Sequence, residues 1–167
     1  MADSDRPILK LPLTPFDRSV EVLGLLTLIG FWIFTINYYG LLPEVIPTHF
    51  GGGGKPDGFG SKETILGLPI VSTVLYVMLT VFSRFPHKMN YTVTITEANA
   101  EVQYRIMTRM IRVLKVFVLF VFFTLDYKTV QIALAWPDVL GRWFLLLLFA
   151  MIFGPLFYFL IQLSKNS

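Results

Sequence analysis

The sequence has no cysteine. That excludes disulfides, thiolate metal sites and a cysteine nucleophile. It has two histidines, His49 and His87, which leaves little for a histidine-rich metal centre. Charge is scarce: 15% of residues are charged, against about a quarter in an ordinary soluble domain. The net charge of +3 over 167 residues is too small for the basic field of a nucleic-acid binder, so no nucleic-acid partner is expected. What the chain has instead is hydrophobic mass, 54% apolar and 16% aromatic, with mean hydropathy +0.65. This balance points to an integral membrane protein whose first partner is the lipid bilayer.

The first 19 residues are polar, and the apolar run behind them is too long for a signal-peptide core, so no cleavable leader is expected. Four segments read as spans. The first covers 15–40: Thr14 is a cap, Pro15 suits the first helical position, and Asp17 favours the positive helix end. The second covers 64–83, with Pro69 in its first turns. The fourth covers 141–163 and contains Gly154-Pro155, a bend signal. The third is the difficult one. Only ten residues between Lys115 and Asp126 are uncharged, so a span over 113–136 must carry Asp126 and Lys128 with it. That extent leaves a short connection, 137–141, into the last helix.

Lys and Arg are unevenly placed. Ten fall in the N-terminal segment, the connector after the second span, the start of the third span and the tail, while Lys55, Lys62, Lys128 and Arg142 fall on the opposite side. The positive-inside rule then puts both termini and the middle connector in the cytoplasm. The expected fold is an all-α, four-transmembrane-helix bundle, N-in and C-in, in a bacterial cytoplasmic membrane. Residues 1–14 form a cytoplasmic segment, 41–63 an ordered outward loop, and 84–112 a small cytoplasmic strand/helix connector. In that connector, 90–96 (NYTVTIT) alternates as a strand does, and the N-terminal PILKLPL is its candidate partner. From Thr96 onward the pattern is helical. Arg105, Arg109 and Arg112 share a face and form a basic stripe that reads as lipid- or partner-facing.

The loop 42–62, LPEVIPTHFGGGGKPDGFGSK, separates two apolar spans. It is not a phosphate loop: counting back from Gly54-Lys55, the first glycine position is His49, and Pro56 follows the lysine. His49 and Asp57 are ligand types, but His87 falls on the other side of the membrane, so no metal is expected. Pro43, Pro47 and Pro56 stiffen the backbone. Gly51 to Gly54 permit tight reversal, and Ser61 is a candidate cap for the second span. The segment reads as an ordered reversal tied by His49, Asp57 and Lys62, with Asp57 pairing Lys62.

Leu42-Pro43, Ile46-Pro47, His49-Phe50, Gly54, Pro56-Asp57, Gly60 and Lys62 form the pattern LP-x-x-IP-x-HF…G-x-PD-x-x-G-x-K. This resembles a small bacterial membrane domain of unknown function, the DUF1648-type domain, found at the N-terminus of SdpI-type immunity proteins. Segments 90–96 and 99–104 are similar to the cytoplasmic connector of short members. The resemblance implies a non-enzymatic envelope protein, with sensing or immunity-like work at the outer loop and a membrane protein or peptide as partner there. Two other roles stay open. One is an accessory subunit of a membrane complex. The other is a small transporter or ion-handling protein built around Asp126, Lys128 and Gln131, since ionisable groups within a span are costly and often functional. No catalytic constellation and no cofactor are expected.

Overall fold

The structure is a computed structural model, and it describes residues 6–136 and 143–166. It contains four α-helices: α1 (Pro15–Tyr39), α2 (Gly67–Phe82), α3 (Ala100–Ala133) and α4 (Phe144–Lys165). Between α1 and α2 lies an antiparallel hairpin, β1 (Val45–Phe50) with β2 (Pro56–Ser61). The chain is therefore mostly helical rather than all-α. Three helical segments, Pro15–Tyr39, Lys62–Phe82 and Leu146–Lys165, are long and apolar enough to cross a membrane. The connection 137–141 and Arg142 lie outside the described residues.

The start of α1 is a capping box. Thr14 Oγ1 accepts from Asp17 N–H at 3.2 Å, and Thr14 N–H donates to Asp17 Oδ2 at 3.0 Å. From there Asp17, Glu21, Gly24, Leu28, Phe31 and Thr35 recur every three or four residues. All but the half-buried Glu21 are buried. This spacing is that of a coiled-coil seam. The residues between, such as Leu26, Ile29, Ile33 and Ile36, are exposed and apolar, a surface suited to lipid.

The seam faces α3, which runs parallel to α1. Arg109 Nε donates to Asp17 Oδ1 at 3.0 Å, and Lys115 Nζ donates to Glu21 Oε2 at 2.6 Å. Higher up, Phe31 meets Phe123 edge-on at 5.4 Å, and Thr35 Oγ1 donates to Asp126 Oδ2 at 2.8 Å. The sequence offsets of these three polar contacts are 92, 94 and 91, so the two helices stay in one register from end to end. Gly24 marks the point of convergence with α2, where an added Cβ would stand 3.4 Å from both Tyr76 and Val116. Small residues at such points let membrane helices approach closely.

The connector contains no strand among its described residues. Residues 90–96 are coil and bend, preceded by one 3-10 turn, Pro86–Lys88. The alternation misled because its members have other work. Tyr91 stacks near Tyr104 at 5.6 Å and donates its hydroxyl to Pro86 O, while Thr96 and Asn99 bond each other's backbone ahead of α3. Burial there raises the Tyr91 phenol above its ordinary pKa. The proposed partner segment carries Pro7 and Pro12, which lack ladder donors. It is held instead by Arg6, which donates to Met89 O at 2.6 Å.

The third helix is continuous from Ala100 but stops at Ala133, short of Trp136. The stop is a Schellman turn: Trp136 N–H bonds Gln131 O at 2.8 Å and Ala135 N–H bonds Ile132 O at 3.1 Å. Ala135 takes φ 55, the position usually given to glycine. α4 packs on the lower half of α3 through Phe159 and Leu163 against Met107 and Met110. Gln103 Nε2 closes that contact by donating to Leu163 O and Asn166 O at the end of α4. Pro155 lies inside α4, whose helix is continuous through it.

Candidate binding site beneath the hairpin

The hairpin is built from residues that seldom make strands. Its register pairs Val45 with Ser61, Ile46 with Gly60 and Pro47 with Phe59, then breaks at His49. Proline is tolerated because both strands are edges. Gly60 is required by proximity, since a Cβ there would stand 3.0 Å from Thr48 Cγ2. The reversal is closed by Gly51 N–H to Lys55 O at 2.9 Å and Gly54 N–H to Gly51 O at 2.8 Å. Of its four glycines only Gly54 takes a positive φ, 73.

The polar ties differ from the expected Asp57–Lys62 pair. Asp57 pairs with His49 across the strands near the tip, both exposed. Lys62 bonds Glu44 twice at the base, Nζ to Oε1 at 2.8 Å and N–H to the carbonyl at 3.0 Å. Antiparallel geometry explains the exchange: it sets 44 beside 62 and 49 beside 57, whereas 57 and 62 lie on the same strand end to end. Among the described residues no third His, Asp or Glu joins the His49–Asp57 pair to make a metal cluster. Ser61 does not cap through its hydroxyl; its carbonyl accepts from Thr64 Oγ1 at 2.7 Å, and the 3-10 turn Lys62–Leu66 leads into α2. Pro43 is exposed, and Pro47 is buried.

One face of the hairpin is anchored. Leu42, Ile46, Ile65 and Val130 form a buried cluster, with Phe34, Tyr38 and Trp136 around it. Beside this cluster lies a cavity of about 330 Å³ between the hairpin, the start of α2 and the upper part of α3. Ile46, Phe50, Ile65, Leu68 and Val71 form much of its wall, and Asp126 and Thr129 line it from α3. Asp126 has no exposed surface. Its Oδ2 accepts from Thr35, and its Oδ1 accepts no hydrogen bond among the described residues. A buried polar atom without a partner is expensive.

Lys128 and Gln131 are buried as well. They are not lining residues of the Asp126 cavity. Of the three, Asp126 lines the cavity and bonds Thr35 of α1.

The basic stripe also turns out differently. Arg109 is spent on Asp17 and on Thr14 Oγ1, and Arg112 Nε stands 3.3 Å from Glu21 Oε1. Arg112 is 9% exposed, so it is an inward-facing cation rather than a lipid-facing one. Arg105 pairs with Glu101 within α3 and reaches Pro12 O. Lys115, buried, joins the same cluster through Glu21 and Thr80 and lies 4.5 Å over the Tyr76 ring. The signal for this cluster is present in the sequence. Asp17 and Glu21 open the α1 seam, and Arg109, Arg112 and Lys115 repeat at matching intervals on α3.

Residues 25–73, from mid-α1 through the hairpin into α2, match the family described as Domain of unknown function (DUF1648). That segment contains every member of the loop motif. A protein of Archaeoglobus fulgidus described as "Uncharacterized protein" is 36% identical over 87 residues, covering 47% of this chain and 48% of the relative. The match thus spans about half the length of that curated relative. No solved structure matches the chain.

Proposed function

We propose that the chain is a four-span protein of the cytoplasmic membrane, with both termini inside, and that it acts without chemistry of its own as a receptor-like sensor. The hairpin meets a ligand or partner outside, and α3 relays the event to the cytoplasmic connector. The observation that carries this reading is the unbroken α3. At one end Val130 packs with Ile46 of the hairpin, and at the other the Tyr104 ring meets that of Tyr91 of the connector at a tilt of 42°. Its 34 residues span about 51 Å at 1.5 Å per residue, more than the ~30 Å hydrocarbon layer. Support for α3 as a span comes from where its charges go. Lys115 and Asp126 face α1 and α2 rather than lipid, which removes the usual objection to charged residues at that depth. An immunity role rests on the motif resemblance alone and is not part of the proposal.

The absence of cysteine makes the test clean, because every introduced thiol is unique. Gly52→Cys is expected to react with a membrane-impermeant maleimide on intact cells, and His87→Cys only after permeabilisation. Labelling of His87→Cys from outside overturns the topology. For the relay, Ile46→Asn loosens the hairpin from α3. It is expected to change the labelling rate of Thr92→Cys, an exposed neighbour that leaves the Tyr91–Tyr104 contact in place, by roughly two- to thirtyfold, the range of ordinary coupling energies. An unchanged rate overturns the relay.

A further inference from the structure

The cavity beneath the hairpin is not used by the relay, and its chemistry is lopsided. Its wall is hydrocarbon: Ile46, Phe50, Ile65, Leu68, Val71 and Leu125. Its one formal charge is Asp126, whose Oδ2 is already held by Thr35 and whose Oδ1 lacks a partner among the described residues. The other side-chain oxygens lining it are the hydroxyls of Thr48, Thr64 and Thr129.

Each ligand class can be weighed against this inventory. An anion is repelled by the carboxylate. A neutral hydrocarbon leaves Oδ1 as it is. A bare divalent cation needs about six to eight oxygen ligands in close array, more than one carboxylate and three scattered hydroxyls provide. An organic ammonium ion satisfies both halves: its N–H gives Oδ1 the hydrogen bond and the counter-charge it lacks, and its carbon chain matches the wall. The volume falls at the small end of ligand pockets, which favours a monoamine.

We infer that the cavity between the hairpin, α2 and α3 binds a small lipophilic ammonium ion, which parts the side chains covering Asp126 to set its charged nitrogen on Oδ1, with the carbon chain against Ile46, Leu68 and Val71. This names a ligand class for the sensor reading above and rests on that reading for its role, though not for its binding. Occupancy would draw the hairpin and α3 onto a common ligand, at the contact through which the relay begins.

The test is calorimetric titration of the whole protein in nanodiscs, with hexylammonium as the probe and hexan-1-ol as its uncharged counterpart, each corrected against empty nanodiscs. Saturable hexylammonium binding is expected, with hexan-1-ol at least tenfold weaker. Asp126→Asn keeps the side-chain shape and the Thr35 contact and is expected to lose at least tenfold. Val71→Phe fills the wall without touching the carboxylate and is expected to do the same, so the proposal stays exposed even if the Asn variant does not fold. Equal affinity in wild type and Asp126→Asn overturns it, as does the absence of saturable binding. Displacement of hexylammonium by sodium at equal concentration also overturns it, in favour of a bare-cation site. Binding in nanodiscs needs neither the proposed orientation nor the relay, so failure here and failure of the labelling experiments are separate results.

Discussion

Replacing Glu21 with alanine tests the inner charge cluster most directly. Glu21 is the single anion between two buried cations, with Lys115 Nζ at 2.6 Å and Arg112 Nε at 3.3 Å. Lys115 is 1% exposed and Arg112 9% exposed, so both are largely desolvated beside the anion. Removing one partner of a buried pair typically costs 3–5 kcal/mol, because an uncompensated charge remains. Two features pull the figure down here. The Glu21 side chain is 22% exposed, and Lys115 keeps Thr80 and the Tyr76 ring. The expected loss is therefore about 3 kcal/mol, at the lower end of that range. Lys115→Met removes a cation instead and leaves Glu21 with Arg112, so it is expected to cost about 2 kcal/mol, the scale of one hydrogen bond to a charged group. The assay is reversible unfolding in mixed micelles, with helicity as the readout. The order of the two variants matters as much as their size. A Glu21→Ala loss below about 0.5 kcal/mol, the scale of a surface pair, would refute the burial argument, and so would a larger loss for Lys115→Met.

Four further outcomes follow from the same geometry. Ala135→Gly relieves a left-handed residue in the Schellman turn and is expected to stabilise the protein by about 1 kcal/mol in the same unfolding assay. Phe31→Ala empties a site 1% exposed on the seam and is expected to cost roughly 3 kcal/mol, whereas Ile33→Ala, 56% exposed on the outer face, is expected to cost almost nothing. Gly54→Ala places a Cβ at φ 73 and is expected to destabilise by about 1 kcal/mol, read as faster proteolysis at the hairpin tip. Asp57→Asn breaks only an exposed pair with His49 and is expected to leave stability within about 1 kcal/mol, so any loss of ligand response in that variant would be functional rather than structural.

Much of the helical layout was legible in the sequence, because lipid-scale apolar runs and a Thr-Pro-x-Asp start are local signals. The α1 cap at Thr14 is one such case, and the uninterrupted helix from the connector into α3 is another. The hairpin was not legible as strands. Its glycines and prolines score against strand formation, and its pairing is imposed by the anchoring of Ile46 on Val130, a contact between distant parts of the chain. The connector failed in the opposite sense: NYTVTIT has the right alternation, but its candidate partner is interrupted by Pro7 and Pro12 and does not pair with it. The stripe of Arg105, Arg109 and Arg112 looked outward because a single helix carries no information about its neighbour. The burial of Arg112, and the pairing of Arg109 with Asp17, follow only when the α1 and α3 periodicities are laid side by side. The candidate site divides in the same way. Asp126 could be singled out from its depth in an apolar run, but the cavity beside it depends on where the hairpin lands.

The constant register of α1 against α3 also dictates an order of assembly. The partners of Arg112, Lys115 and Asp126 described above are Glu21, Thr80 and Thr35, all of which precede α3 in the chain. On the four-span topology proposed above, α1 and α2 are in place before α3 emerges, so its charges enter beside their partners instead of facing lipid alone. On that topology the most charged helix is received by two that are long and apolar enough to cross by themselves. A circular permutant that begins at Ala100 keeps the side-chain contacts of α3 with α1 and α2 yet presents α3 first, and it should stall at the membrane while the native order proceeds.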